Sequence, residues 1–281
     1  MRRFLDWFFA PEWAGGWTFT RYMWCFAAFL GHGKRIFGIP GPYANEEILL
    51  TSGYFKLVNV VIFSPTTAMM IWAGGVLGIL MVARGGKTFH LGLMLWFVCA
   101  WALLAQEALN IKAWDRLTTW IALVLMFSPA YEERLWTKKR SPAARYSLLI
   151  LFCAIYGSTG WMKFLNEPAW LDGSVLQYHL VHQWHAGNRL AAWVSGHRWL
   201  TAPMCWWTLL FECGFPFLVW WKRANPPLLL LGALFHVGLL LMMQVGPFGF
   251  VSLAAYPVLM HPEAAKRLFD RGIRRFGTPM P

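Results

Sequence analysis

The sequence predicts an all-α protein, a polytopic membrane bundle of about eight transmembrane helices with both termini in the cytoplasm. Of its 281 residues, 58% are hydrophobic and only 14% are charged, whereas soluble proteins carry about 25% charged residues. Apolar runs recur from residue 17 to residue 260, which leaves no room for a separate soluble domain. Lys and Arg concentrate in the short loops between these runs, as is typical of cytoplasmic loops.

The predicted spans follow one another through short, turn-rich connections. Gly85-Gly86 and Gly246-Pro247 interrupt apolar runs, and Asn225-Pro226 starts a new one. In chain order the spans are 17–33, 57–83, 88–110, a shorter run to 127, 146–165, 202–221, 225–245 and a last run to 260. The loops on the side of the termini carry the larger share of Lys and Arg, so the positive-inside rule predicts cytoplasmic termini and a multi-pass protein of the inner membrane.

Three regions are expected along the chain. Residues 1–16 are rich in aromatic side chains and predict an interfacial amphipathic segment. Residues 17–260 form the transmembrane domain, which includes a long extracytoplasmic loop at 166–201, and residues 261–281 form a basic cytoplasmic tail. The first residues lack the pattern of a cleaved signal peptide, so we expect the first helix to be retained as an anchor.

The distribution of basic residues and cysteines argues against a nucleic-acid partner and against disulfide bonds. The formal net charge of +12 is spread over loops between apolar runs, so the basic residues indicate cytoplasmic loops in contact with a lipid bilayer and no nucleic-acid partner is expected. The cysteines lie inside apolar runs without a CxxC pair, which predicts buried packing residues and no disulfide. They are Cys25, Cys99, Cys153, Cys205 and Cys213.

Lys163 is the main candidate for chemistry. It lies near the end of the fifth predicted span, where a charged lysine is costly, about 2.5–3.5 kcal/mol at the centre of a helix by insertion scales. Such an amine faces a cavity, finds a counter-charge or gives up its proton, and a neutral amine is a possible base. The alternative is a lysine whose aliphatic stem extends to the interface and keeps the charge in water.

Four more polar residues lie at apolar depth, and with Lys163 they form a mixed set of acids and bases. Such side chains turn inward because lipid offers no hydrogen-bonding partner. The alternative is purely structural, since polar pairs between membrane helices contribute about 0.6 kcal/mol on average and are common. The four residues are Arg21, Glu107, Glu212 and His236.

The extracytoplasmic loop carries four of the eight histidines. His179, His182 and His185 follow at i, i+3 and i+6, which on a continuous helix would place them on one stripe. A metal-handling protein is therefore one alternative. The i, i+4 spacing usual for two helical ligands is absent, and aromatic residues such as Trp184 are interleaved. An interfacial amphipathic helix is therefore favoured, and no metal is expected.

A series of short motifs resembles the horizontally transferred transmembrane domain family, to which the membrane domain of vitamin K-dependent gamma-carboxylase belongs. The resemblance covers about residues 18–260 and depends on the order and spacing of the pieces, because each alone is weak. Arg21 in Phe-Thr-Arg-Tyr matches the arginine near the start of the family's first helix. The other motifs are Gly160-x-x-Lys163, Trp170-x-x-Gly173, Glu212 followed by Pro216, Phe235-His236 and Gly246-x-Phe248.

The resemblance implies a carboxylase-like enzyme that uses a reduced, vitamin K-like quinone. In the family, the lysine deprotonates the quinol, and oxygenation then gives a strong base that removes a proton from a peptidyl glutamate so that CO2 can add. The resemblance makes Lys163 and His236 the expected catalytic residues. It implies a quinone pocket shaped by Arg21, Glu107, Gly160, Trp170, Glu212 and Phe248.

The chain departs from the family pattern at three points. Met162 replaces the first of two adjacent lysines, Glu212 replaces an aspartate, and the sequence after the last span lacks the large lumenal domain that holds the peptide substrate. We therefore expect a small substrate, an exported peptide or a separately encoded soluble partner. Family relatives include a membrane protein needed to mature a secreted bacterial toxin peptide. The alternative function is accordingly a non-enzymatic scaffold or maturation factor for a secreted peptide.

Overall fold

The computed structural model describes residues 9–38, 63–106, 112–182 and 187–276, and this part of the chain is almost entirely helical. Short 3-10 turns join several of the helices. A small antiparallel ribbon pairs β1 (Glu12–Trp13) with β2 (Lys139–Arg140). The helices are α1 (Gly16–Gly33), α2 (Pro65–Arg84), α3 (Phe89–Gln106), α4 (Ala113–Met126), α5 (Ala143–Asn166), α6 (Ala169–Asp172), α7 (Ser174–Val181), α8 (Arg189–Ser195), α9 (Arg198–Leu218), α10 (Asn225–Met242), α11 (Phe248–Leu259) and α12 (Pro262–Phe276).

The prediction of an all-α chain with membrane-spanning helices is confirmed for four segments. Within the described residues, four helices are long and apolar enough to cross a membrane, namely Pro65–Arg84, Gly86–Ala105, Ala143–Asn166 and Asn225–Met242. The other four predicted spans correspond to α1, α4, α9 and α11. Of these, α4 and α11 are shorter, with 14 and 12 residues, and α1 and α9 each carry buried charged residues.

The spans pack as neighbouring helical pairs around a shared core. The α2–α3 hairpin turns at Gly85 and Gly86, whose φ angles of 75° and 59° suit glycine. Helix α1 packs along α11, and α5 packs along α9. Large aromatic side chains such as Trp24 and Phe152 fill the centre, while leucines such as Leu80 face outward. An apolar outer surface is what contact with a lipid bilayer requires.

The described part of the predicted extracytoplasmic loop at residues 166–201 is largely helical. It contains α6, α7 and α8, which lie over the end of α5 and against α9. Leu180, Ala191 and Val194 form a small buried cluster of their own, and Met242 of α10 packs against it. Burial of these apolar side chains stabilises the short helices.

Strand β1 and helix α12, near the two ends of the described residues, meet at the opposite end of the bundle, which we call the ribbon end because it carries β1 and β2. The described part of the predicted amphipathic segment, residues 9–15, contains β1, and residues 1–8 lie outside the described part. The predicted basic tail begins as helix α12, whose Phe269 stacks on Phe19 with ring centroids 4.2 Å apart. The tail is therefore tied to the bundle.

Candidate functional site

A cavity of about 420 Å³ lies at the end of the bundle where α5 finishes, which we call the cavity end. Helices α5, α9 and α10 form its walls, and α6 and α7 cover it. Most of the lining is apolar or aromatic, with Trp207, Phe235 and Phe248 among the larger side chains. The cavity thus has the size and character of a small-molecule site, since such sites measure about 300–1,000 Å³.

Lys163 and Glu212 form an ion pair inside this cavity. The Lys163 Nζ lies 2.7 Å from both Glu212 Oε1 and Oε2. The side chain of Glu212 is 5% exposed and that of Lys163 is 20% exposed. Hydrogen bonds between two charged groups are among the strongest in proteins, so the pair fixes the amine within the cavity. The structure places the amine against a carboxylate on a neighbouring helix.

Gly160 makes this pairing possible by letting α5 approach α9 closely. A Cβ atom at position 160 would lie 2.7 Å from the Cβ of Glu212 and 2.8 Å from the backbone nitrogen of Cys213. These distances leave no room for a larger residue. Lys163 follows three residues later on the same face of α5 and therefore reaches the Glu212 carboxylate.

Trp170 covers the ion pair from the short helix α6. The Lys163 Nζ lies 4.6 Å from the centroid of the Trp170 ring, a distance suited to a cation–π interaction. The Trp170 Nε1 donates a hydrogen bond of 2.8 Å to Glu167 Oε2, which orients the indole. The amine is therefore held from two sides, by a carboxylate and by an aromatic face.

The cover over the cavity is attached to α9 through Asp172. Arg198 Nε and Nη2 donate to the Asp172 carbonyl oxygen and Oδ2 at 3.0 and 3.1 Å. The hydroxyl of Ser174 donates to Asp172 Oδ1 at 2.7 Å, and this bond is the main reason that the pKa of Asp172 lies below its usual range. These exposed contacts fasten α6 without closing the cavity.

His236 lies behind the cavity wall, fully buried on α10. Its Nε2 is 2.6 Å from the Tyr156 hydroxyl oxygen, and that oxygen is 3.4 Å from the hydroxyl oxygen of Tyr256. Tyr156 lines the cavity, whereas the imidazole of His236 lies outside its lining. Phe248 also lines the cavity, with its ring centroid 5.8 Å from that of His236.

Arg21 lies at the ribbon end, away from the cavity, which corrects its expected place in the pocket. Its Nη1 donates to the Ala130 carbonyl oxygen at 2.8 Å and its Nη2 to the Tyr22 hydroxyl at 3.0 Å. Ala130 belongs to the connection before α5, whereas Lys163 lies about 30 Å along that helix at a rise of about 1.5 Å per residue. The other expected pocket acid, Glu107, lies outside the described residues.

The three-histidine stripe does not form on one helix. Helix α7 ends at Val181, and His182 has an extended backbone with ψ of 134°. His179 lines the cavity, and His185 lies outside the described part of the chain. Across the described residues, no group of three or more His, Cys, Asp or Glu side chains is arranged to hold a metal ion.

Tyr156 and Thr159 are site residues that the sequence analysis did not single out. Both line the cavity, and they precede Lys163 by seven and four residues. This helical spacing puts all three side chains on one face of α5, and it could have identified Tyr156 and Thr159 from the sequence. Helical spacing around a known polar residue would therefore have predicted this wall of the site.

Comparison of the chain with models of protein families, with curated proteins and with solved structures gave no match.

Proposed function

We propose that the protein is a membrane enzyme of carboxylase-like, carbon–carbon lyase type, in which Lys163 and Glu212 handle the proton of a reduced quinone. The observation that carries this proposal is the ion pair, with both oxygens 2.7 Å from Nζ, inside a largely apolar cavity of about 420 Å³. The motif resemblance around Gly160-x-x-Lys163 supports the same chemistry.

The cavity residues fit a reduced quinone. Trp207, Phe235 and Phe248 offer aromatic surfaces to a planar ring, and the Lys163–Glu212 pair offers a polar partner to a ring hydroxyl. When bound, a reduced quinone supplies an acidic hydroxyl whose deprotonated form reacts with oxygen. The protein's part is to bind the ring, orient it and move one proton.

The pair gives the amine a way to act as a base within an apolar site. If one proton passes from Nζ of Lys163 to an Oε of Glu212, the pair stays neutral overall, so no net charge is created in the cavity. The neutral amine then has a lone pair that can accept the hydroxyl proton at Nζ. General base catalysis by a positioned side chain contributes about 10²–10⁴-fold to a rate. His236 serves as a positioning residue that holds the Tyr156 hydroxyl.

The proposed enzyme crosses the membrane eight times. Helices α1 to α5 and α9 to α11 are the eight spans of an inner-membrane protein with cytoplasmic termini. The basic side chains at the ribbon end support this orientation, since Arg134, Lys138 and Arg140 lie in the connection before α5. The cavity end then faces outward, where an exported peptide substrate or a separately encoded soluble partner approaches the cover formed by α6 and α7.

A second candidate is a non-enzymatic scaffold or maturation factor. The close contact between Gly160 and Glu212 favours it, because an ion pair beside a tight helix crossing can serve only to fix the register of α5 and α9. Both candidates require the pair, so the difference between them lies in whether Lys163 must lose its proton.

Substitution by arginine separates the two candidates. Lys163→Arg keeps a positive charge that can bind both oxygens of Glu212, yet an arginine stays protonated in proteins. We expect this variant, purified in lipid nanodiscs, to keep its melting temperature and to lose at least 100-fold in consumption of reduced naphthoquinone. Lys163→Ala, which removes the ion pair altogether, is the control. Wild-type turnover in Lys163→Arg would remove the base role and leave the scaffold.

A further inference from the structure

The cavity opens sideways between α9 and α10. Trp207 of α9 and Leu234 of α10 line the cavity, and these two large side chains remain 39% and 51% exposed. Leu234 lies about 14 Å from the start of α10, at about 1.5 Å per residue, and α10 is long and apolar enough to span a membrane. In the proposed topology the opening therefore lies at the level of the hydrocarbon layer, away from water.

Gly238 marks the gap in this wall. Leu234, Gly238 and Met242 follow at i, i+4 and i+8, so they form one stripe of α10 along the cavity. Among the described residues, a Cβ atom at position 238 would meet only the Met242 Cε, at 3.7 Å. The glycine thus leaves open space between two large side chains at the place where the cavity reaches the surface.

We infer that the gap at Gly238 is a lateral portal for the apolar tail of a single-tailed amphiphile whose polar ring binds at the Lys163–Glu212 pair. This inference rests on the proposed function for the ring and adds where the rest of the ligand lies. The polar pair is the charged feature of a mostly apolar lining, so a ligand with one polar end orients that end inward. A hydrocarbon tail that leaves at Gly238 then stays in lipid and costs no exposure to water.

The portal makes Gly238 a specificity-determining residue. A side chain there would fill the gap and obstruct a tail, while a ligand without a tail would fit within the cavity as before. The matched control is Val237→Phe, which adds bulk to the neighbouring position. Val237 is 41% exposed and faces outward. Added volume at 237 therefore points into lipid and leaves the portal open.

The test compares two probes in nanodiscs, 2-methyl-1,4-naphthoquinone and the same ring with a four-isoprene tail. We expect Gly238→Leu to weaken binding of the tailed probe at least tenfold and to leave the tailless probe within twofold of wild type. Val237→Phe should change neither. Equal binding of the tailed probe by wild type and Gly238→Leu overturns the portal, and so does an equal loss of both probes in Gly238→Leu and in the smaller variant Gly238→Ala.

If the proposed quinone site is wrong, the binding measurements give a different result from that of a missing portal. Wild-type protein that binds neither naphthoquinone contradicts the quinone site itself. The portal is then tested by native mass spectrometry, which measures the occupancy of co-purified lipid. It predicts single-tailed lipid on wild type and Val237→Phe and at least a tenfold lower occupancy on Gly238→Leu, whereas equal occupancy on all three proteins overturns it.

Discussion

The two ends of α5 carry similar chemistry in different surroundings. At the ribbon end, Arg145 is buried, and its Nε donates to the Val258 carbonyl oxygen at 3.1 Å while its Nη1 lies 3.4 Å from Glu12 Oε2. At the cavity end, Lys163 pairs with Glu212 beside about 420 Å³ of open space. Both are cations near the end of one helix, each with a carboxylate. The open space, more than the charge, distinguishes a candidate site from a structural contact.

The same amide substitution at the two ends gives the largest expected contrast. Glu212→Gln leaves Lys163 without its counter-charge and without a proton acceptor, so turnover of reduced naphthoquinone should fall about 10²–10⁴-fold. Glu12→Gln should leave turnover per folded molecule within twofold of wild type. Both are measured on purified protein in nanodiscs. Equal turnover by the two variants would erase the functional difference between the ends.

Loss of the arginine at the ribbon end should reduce stability and spare the site. Arg145→Met leaves the Glu12 carboxylate and the Val258 carbonyl without their donor. Removing one partner of a buried pair costs about 3–5 kcal/mol, and the partial exposure of Glu12 places this pair below that range. We expect a lower melting temperature by tryptophan fluorescence, with the affinity of the folded fraction for the tailless naphthoquinone unchanged. Wild-type stability combined with lost binding would reverse the roles given to the two ends.

How much of this arrangement the sequence predicts depends on the kind of residue. Lys163 and Glu212 are identified because charged residues in apolar runs are few and must find partners. Arg21 is identified by the same criterion, as a charged residue at apolar depth. The motif resemblance placed it in the quinone pocket, and the structure puts it at the ribbon end.

Other features depend on packing that a sequence does not display. The 166–201 region forms helices of four to eight residues, which are too short for a hydrophobic period to be read. The contact between His236 and Tyr156 joins α10 to α5, and only the helix packing decides that pair. Apolar runs predict that a side chain is buried, but they do not predict which side chains of other helices it contacts.

A smaller effect is expected where α5 and α9 approach each other. Gly160→Ala places a methyl group against the backbone of α9, and overpacking of this kind costs about 1–3 kcal/mol. The matched control is Gly33→Ala, since a Cβ atom at that position meets nothing within 4 Å among the described residues. The melting temperatures of both variants provide the comparison. A loss in Gly33→Ala as large as that in Gly160→Ala would argue against close helix contact at the site.

The smallest expected effect is a pH response at the ribbon end. Hydrogen bonds from Arg140 and then Lys138 lower the pKa of Glu132 to about 2. A glutamate in an unfolded chain has a pKa of about 4.3, so this contact stabilises the fold above that pH and is lost as the pH falls towards 2. Partial exposure of both cations keeps the effect small.

Hydrogen exchange of residues 129–140 between pH 5 and pH 2.5, corrected for the intrinsic rates, should show greater opening at the lower pH. Glu132→Gln should remove that dependence on pH, because its side chain does not titrate. Identical protection in wild type at the two pH values would show that Glu132 does not fasten this end.

The most direct test of the account is a structure of the protein in lipid nanodiscs with a reduced naphthoquinone bound. A quinol site at the Lys163–Glu212 pair requires the ring to lie between α5, α9 and α10, with one ring oxygen within hydrogen-bonding distance of Lys163 Nζ or a Glu212 carboxylate oxygen. Ring density outside this cavity, with the Lys163–Glu212 pair unchanged and without a ligand, would contradict it.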